Sequence, residues 1–291
     1  MSEETSKHSV DAVIRGGAEF LARKGVDQPR IACELLLSRL FNRSRLSLHL
    51  IGEQILEERY LEAMRRGIRR VASGEPIQYV TGQTEFMGHV FKTDKRALVP
   101  RPETEGLVRE VLACAPLWQN ETPNILDLGT GTGCIVISLA LEKPSARYIG
   151  LDISPDAVAL ARENSQTLGV ADRVALSEGD MADVIEPEML DALIANLPYI
   201  PTSVWETLPA HIRDHEPRLA LDGGPAGLTA IEQAVQDATF VLKPQGRLFL
   251  EIGDDQGGRV KTLLRETGFA ETTVLPDLAG KDRVVSAVWP G

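Results

Sequence analysis

Asn124-Ile125-Leu126-Asp127-Leu128-Gly129-Thr130-Gly131-Thr132-Gly133 decides the fold. An apolar strand, 124–128, runs into three alternating glycines, and helical spacing follows over 133–142. The glycines let the backbone turn sharply and come close to a ligand before the next helix starts. A second strand, 147–152, ends in Leu151-Asp152, which places a carboxylate beside the same crevice. Such an aspartate is suited to accept hydrogen bonds from both hydroxyls of a ribose. Outward from this centre the texture repeats. Strands are expected at 173–177, 191–195, 246–252, 271–275 and 283–289, with helices at 155–168, 225–241 and 256–267. This alternation predicts an α/β fold with a mostly parallel sheet covered on both faces. Ligands of such sheets bind beyond the carboxyl ends of the strands, at the topological switch point.

Two nucleotide cofactors compete for the glycine loop. A dinucleotide motif wants glycine or alanine three residues after the second glycine. Counted from Gly129 and Gly131, that position is Cys134, and the glycine comes one residue early, at Gly133. Asp127 also stands just before the loop, where it would repel a pyrophosphate but tolerate an ammonium or a sulfonium. With Asp127 and Asp152 at these spacings, S-adenosylmethionine fits better than NAD.

The fourth strand runs straight into Asn196-Leu197-Pro198-Tyr199. A polar asparagine at the end of an apolar strand faces the crevice. Its side-chain oxygen can accept one hydrogen bond from a substrate NH2, and the Leu197 carbonyl can accept the other. Pro198 restricts the backbone so that both acceptors aim at one place. Tyr199 offers a ring on which a planar group can stack. An amide nitrogen is a poor nucleophile because its lone pair is delocalised. Accepting both protons fixes it and supports the positive charge that develops as a methyl arrives. The segment could also be a plain turn after a strand.

The first part of the chain reads differently. Residues 8–25, 30–41 and 53–72 carry apolar positions at helical spacing and predict a small helical bundle. Pro76–Gly82 and Glu85–Phe91 predict two short strands, a β-hairpin linking the bundle to the sheet. Pro100-Arg101-Pro102-Glu103-Thr104-Glu105 then opens a helix, with Pro102 in its first turn. The expected domains are 1–75, a hairpin linker at 76–100, and 101–291. Charge divides along the same line. Residues 1–96 hold 16 Lys/Arg against 13 Asp/Glu, net +3, whereas 97–291 hold 15 against 29, net −14. The total of −11 opposes a tight non-specific nucleic-acid binder. The run Arg65-Arg66-Gly67-Ile68-Arg69-Arg70 is read as a solvated helix face rather than a docking patch. No apolar run reaches a membrane span, and the polar Met1–Lys7 start lacks a signal-peptide stretch, so a cytoplasmic protein is expected. Three sparse cysteines and five scattered histidines give no metal-ligand spacing, so no metal is expected.

These residues together resemble the PrmC (HemK) family, protein-(glutamine-N5) methyltransferases of peptide chain release factors. The match rests on Gly74-Glu75-Pro76-Ile77-Gln78-Tyr79, Gly82, Glu85-Phe86-Met87-Gly88, Phe91 and Leu98–Glu105. It continues through the Asp127–Gly133 loop, Glu216-Pro217, Ala220-Leu221, Gly223-Gly224, Gly227-Leu228 and Glu251-Ile252-Gly253. The resemblance implies a class I, Rossmann-like, seven-stranded methyltransferase domain behind a helical N-terminal domain that helps recognise the substrate. It implies S-adenosylmethionine held by Asp127, Gly129, Thr130, Gly131, Thr132, Gly133, Asp152, Asp180, Met181 and Asn196. The substrate is the glutamine of a Gly-Gly-Gln loop, held by Asn196, Leu197, Pro198 and Tyr199. Of these, Asn196, Pro198 and Tyr199 form the catalytic set. A monomer acting on a release factor, without nucleic acid or membrane, is expected.

Two positions depart from the family pattern. Leu197 replaces the first proline of Asn-Pro-Pro-Tyr, and Met181 stands where an aromatic residue is common. If position 197 matters only through its carbonyl, leucine still serves; Met181 keeps apolar contact but weakens stacking. Three alternatives remain open from sequence. They are an adenine-N6 methyltransferase on RNA or DNA, a glutamine methyltransferase of a ribosomal protein, and a non-catalytic binding module on the same fold.

Overall fold

The computed structural model describes residues 8–291; the reading of Met1–Lys7 falls outside them. The chain divides into two compact units. One comprises the residues up to Gln83 together with Pro209–His215, and the other holds Thr84–Leu208 and Glu216–Gly291.

The first unit is helical, as expected. Its main helices are α1 (Val10–Arg23), α2 (Pro29–Phe41) and α3 (Glu58–Ala72). Ser9 caps α1 by accepting the Ala12 amide, and Pro29 occupies the first turn of α2. The core is built from Ile14, Leu21, Leu36, Leu37, Leu61 and Met64. Gly17 lets α1 approach closely: a Cβ there would stand 2.8 Å from Cys33 Sγ and from Ile68 Cδ1. On α3, Arg65, Arg66 and Arg70 pair with Glu58, Glu62 and Glu75, which agrees with a solvated face.

The expected hairpin needs correction. Pro76–Gly82 supplies no strand; Ile77–Thr81 forms a short helix, α4, ended by left-handed Gly82. Tyr79 is buried, and Ile77 and Val80 pack on the helical core. Packing of that face overrides the strand preference of Ile, Tyr, Val and Thr. The hairpin is shorter and later: β1 (Gln83–Phe86) and β2 (His89–Lys92) flank Met87-Gly88. Both turn residues have positive φ, 50° and 75°, which matches a two-residue hairpin turn. The helix after Pro102 also starts later than expected, as α5 (Thr104–Ala113), with Arg101-Pro102-Glu103 in the turn before it.

The second unit carries a seven-stranded sheet in the order β5-β4-β3-β6-β7-β9-β8. The strands are β3 (Asn124–Leu128), β4 (Arg147–Asp152), β5 (Val174–Glu178), β6 (Leu190–Ala195), β7 (Leu242–Glu251), β8 (Ala270–Pro276) and β9 (Asp282–Val288). All pairings are parallel except those of β9, which runs antiparallel to both β7 and β8. The unit also holds helices α6 (Cys134–Glu142), α7 (Pro155–Thr167), α8 (Met181–Val184), α9 (Thr229–Val241) and α10 (Gly257–Thr267), besides a single turn at Thr202–Trp205. Strand order reverses between β4-β3 and β6, so the carboxyl ends of β3, β4 and β6 meet at the switch point. Two apolar cores lie on opposite faces of the sheet, the upper around Tyr148, Ile125 and Ile194, the lower around Leu126, Leu193 and Leu250. Alternation along β3 and over Ala192–Ala195 of β6 assigns neighbouring residues to opposite cores; it breaks at Leu190, where the register shifts.

Candidate active site

A cavity of about 660 Å³ opens at the carboxyl ends of these strands, entirely within the second unit. Gly129, Thr130, Gly131 and Thr132 form one wall, Asp152 and Asp180 another, and Asn196, Leu197 and Pro198 a third. The loop's conformation demands its glycines. Gly129, Gly131 and Gly133 have φ of 73°, 56° and 80°, and a Cβ on Gly133 would stand 2.7 Å from Ile137 Cδ1. The amides of Gly129 and Thr130 donate to the Leu151 carbonyl, and buried Asn164 of α7 donates to the Thr132 carbonyl at 2.9 Å. Asn164 also exchanges two hydrogen bonds with the Lys92 backbone, which ties the loop to the hairpin.

The two aspartates have different stations. Asp152 lines the cavity; its two oxygens accept the amides of Gly131 and Ser154, each at 2.9 Å, and both keep free lone pairs. Burial holds its carboxyl above the usual range despite those two donors. Asp127 lies beneath the loop rather than on the cavity wall and is wholly buried. One oxygen accepts from Thr130 Oγ1 at 2.7 Å and from the Val136 amide, while Oδ1 has no partner. Burial, with a smaller push from Asp152, raises Asp127 to about 7. An unpartnered buried carboxyl oxygen behind a glycine cradle is matched to a cationic ligand, and unsuited to a pyrophosphate.

The Asn196 segment is held from three sides. Asn196 Nδ2 donates to Thr104 Oγ1 of α5 at 3.1 Å, so its Oδ1 is the atom left for the cavity. Behind the segment, Gln256 Nε2 donates to the carbonyls of Tyr199 and Gly227. The loop that carries Gly223 and Gly227 presses on the same backbone: added Cβ atoms would stand 2.5 Å from Pro198 O and 2.4 Å from Tyr199 O. Asp222 fastens the far end by accepting from Thr202 Oγ1 at 2.7 Å. At the rim, Arg101 donates to buried Glu216 at 2.6 Å, and Glu216 also accepts the Val99 amide.

Besides Asp127 and Gly133, neither of which lines the cavity, three expected contacts sit differently from the sequence reading. Met181 is wholly buried in the lower core and is absent from the cavity wall; Asp180 beside it lines the cavity and caps α8 through the Met181 amide. Tyr199 is also off the wall: its ring packs on the lower core and its hydroxyl donates to Glu251 at 3.4 Å. Leu197 offers more than a carbonyl: its side chain is buried, and a Cβ added to Gly129 would stand 3.2 Å from its Cδ2. Four supporting residues were not singled out from sequence: Thr104, Asn164, Glu251 and Gln256. Thr104, Glu251 and the glycines at 223 and 227 lie in family-matching strings, which was the available signal; Asn164 and Gln256 had none.

Glu251 has a pH consequence for folding. Burial raises it from 4.5 to about 7, against the lowering effects of Thr104, Arg283 and Tyr199. A raised carboxyl favours the fold below its unfolded value and loses that advantage as pH rises towards 7. The unfolding free energy of Glu251→Gln, relative to wild type, is expected to climb by up to about 3 kcal/mol between pH 5 and 8. Urea titrations at the two pH values check this; an unchanged difference contradicts it.

Comparison with known proteins places the chain among relatives. Residues 119–270 match the family model described as a methyltransferase domain, and residues 12–82 match the PrmC N-terminal domain. The chain is 45% identical to a release factor glutamine methyltransferase of Moorella thermoacetica, over 90% of this chain and 92% of that one. It is 38% identical to the protein of that name from Chlorobaculum tepidum, over 96% and 97%. Among solved structures it is similar to the hMettl16 catalytic domain in complex with MAT2A 3′UTR hairpin 1. The TM-score is 0.55 at 12% identity, over 67% of this chain and 72% of that one, a likeness of fold alone.

Proposed function

Because the chain belongs to the release factor glutamine methyltransferase family, we propose that it methylates the side-chain amide nitrogen of the glutamine in a release factor's Gly-Gly-Gln loop. S-adenosylmethionine is the cofactor. The observation that carries the reading is the orientation of Asn196, whose Nδ2 is committed to Thr104 and whose Oδ1 is free to accept a substrate N–H.

Asp152 holds the ribose, the Gly129–Gly133 backbone makes room for the methionine portion, and Asp127 stands behind that backbone as the counter-charge. Asp180 and Leu197 flank the adenine, and Met181 is buried in the same core as Leu197. When bound, S-adenosylmethionine supplies an electrophilic methyl group on a sulfonium. Asn196 Oδ1 and the Leu197 carbonyl accept the two amide protons and keep the nitrogen in line with that methyl. Pro198 keeps the two acceptors aimed together, and Tyr199 packs behind them. No strong base is required, because the proton leaves after the positive charge has formed on nitrogen.

The N-terminal helices, with α4 and the β1–β2 hairpin that follow them in the chain, recognise the release factor; the net positive charge of residues 1–96, against the acidic remainder of the chain, supports that division. The enzyme works as a cytoplasmic monomer, without nucleic acid or membrane. Among the described residues no helix is long and apolar enough to cross a membrane. Incubation with labelled S-adenosylmethionine and a mixture of release factor, ribosomal proteins and RNA tests the reading. Label is expected on the release factor; label confined to RNA or to a ribosomal protein overturns it.

A further inference from the structure

The side chain that orients Asn196 is itself backed by a buried acid. Thr104 Oγ1 accepts from Asn196 Nδ2, which leaves its own proton for a further acceptor, and Thr104 stands near enough to the buried Glu251 carboxyl to lower it. Glu251 is 1% exposed at the end of β7, and its Oε1 accepts from the Tyr199 hydroxyl. Its Oε2 is buried with no hydrogen bond of its own. One carboxyl thus stands behind both ends of the Asn196–Tyr199 segment, while touching neither the cavity wall nor Asn196 itself.

We propose that Glu251 is a positioning residue for methyl transfer, acting through Thr104 to hold and polarise the Asn196 amide and through the Tyr199 hydroxyl to fix the far end of the segment. The proposal rests on the functional reading above. Its physics is that of a hydrogen-bond chain with one sense of donation: substrate N–H to Asn196 Oδ1, Asn196 Nδ2 to Thr104, Thr104 to Glu251. Each bond strengthens its neighbour in a low-dielectric interior, and a negative charge at the end makes Asn196 Oδ1 a better acceptor as positive charge grows on the substrate nitrogen. No bond to the substrate is made by Glu251, and no proton need travel the chain.

The charged state of Glu251 matters here. Burial lifts it to about 7, with Arg283 of β9 pulling it down and Glu103 before α5 pushing it up. Tyr199, raised by burial to about 12, stays a donor, and Cys134 of α6 is raised by burial too and stays neutral. The kcat of the wild type is therefore expected to rise with pH through about 7. Asp127 titrates in the same range but stands under the cofactor loop, so at saturating cofactor its effect leaves kcat and falls on cofactor affinity.

The test is kinetic, on the full chain with purified release factor and saturating S-adenosylmethionine. Thr104→Val is expected to lower kcat about 10- to 100-fold, the worth of a hydrogen bond to a charged group, with little change in cofactor Kd. Thr104→Ser is expected to recover most of that loss. Glu251→Gln is expected to lower kcat and flatten the rise near pH 7. An active wild type whose Thr104→Val variant keeps its kcat, or whose Glu251→Gln variant keeps the same pH profile, overturns the positioning role alone. A wild type that puts no methyl on the release factor overturns the functional reading and this role with it.

Discussion

Replacing Asn196 with alanine lowers methyl transfer by about 10²–10³-fold, the scale set by loss of one preorganised group that meets charge developing in a transition state. Cofactor affinity stays within about threefold of wild type, since a hydrogen bond made only to the substrate contributes nothing to it. The expectation follows from geometry. Thr104 on α5 fixes which end of the Asn196 amide faces the cavity. Gln256 and the glycines at 223 and 227 hold the backbone that follows, so the acceptor cannot be replaced by a shift of the segment. Single-turnover transfer and equilibrium titration of the cofactor, on the same preparation, separate the two effects. Normal transfer by the alanine variant would contradict the two-acceptor mechanism.

Replacing Asp152 with alanine produces the opposite split. Cofactor Kd rises by about 10²–10³-fold, because two hydrogen bonds to a charged acceptor are lost. The variant also frees the Gly131 amide that Asp152 holds at 2.9 Å, so part of the loss comes from the loop itself. The kcat extrapolated to saturating cofactor falls much less, since Asp152 is remote in role from the nucleophile. Calorimetry on the variant, with kcat measured at high cofactor, checks both halves; an unchanged Kd would remove Asp152 from the ribose site.

Much of this was legible in the chain. The sheet could be read because its strands are short apolar runs cut by glycine or followed by a helical period, and the seven strands lie where the pattern put them. The glycine loop was legible for the same reason: three alternating glycines have no use inside a helix or strand, and all three adopt positive φ. Short segments were less legible. Ile77–Thr81 reads as a strand by composition, yet its apolar side is buried in a helical core. β7 starts at Leu242, before the expected 246, because a register shift lets it resume pairing beyond Pro244.

The supports of the site were hidden by distance along the chain. Asn196 and Thr104 are 92 residues apart, Asn164 and Lys92 are 72 apart, and Gln256 and Tyr199 are 57 apart. No local pattern marks a polar residue whose partner lies on another element far along the chain. Met181 and Tyr199 show the reverse. Their positions in the sequence suggested the cavity, but side-chain direction on α8 and after β6 turns both towards the lower core. An apolar or aromatic residue next to a site is chosen by packing as often as by ligand, and only the fold says which.

The central claim is that the nitrogen held by Asn196 is the side-chain amide of a release-factor glutamine. Tandem mass spectrometry of the release factor after incubation with the enzyme and S-adenosylmethionine tests it most directly. The fragments are expected to place a single methyl group on the side-chain nitrogen of the Gly-Gly-Gln glutamine. A methyl group on any other residue, or an unmodified release factor beside methylated RNA, would contradict it.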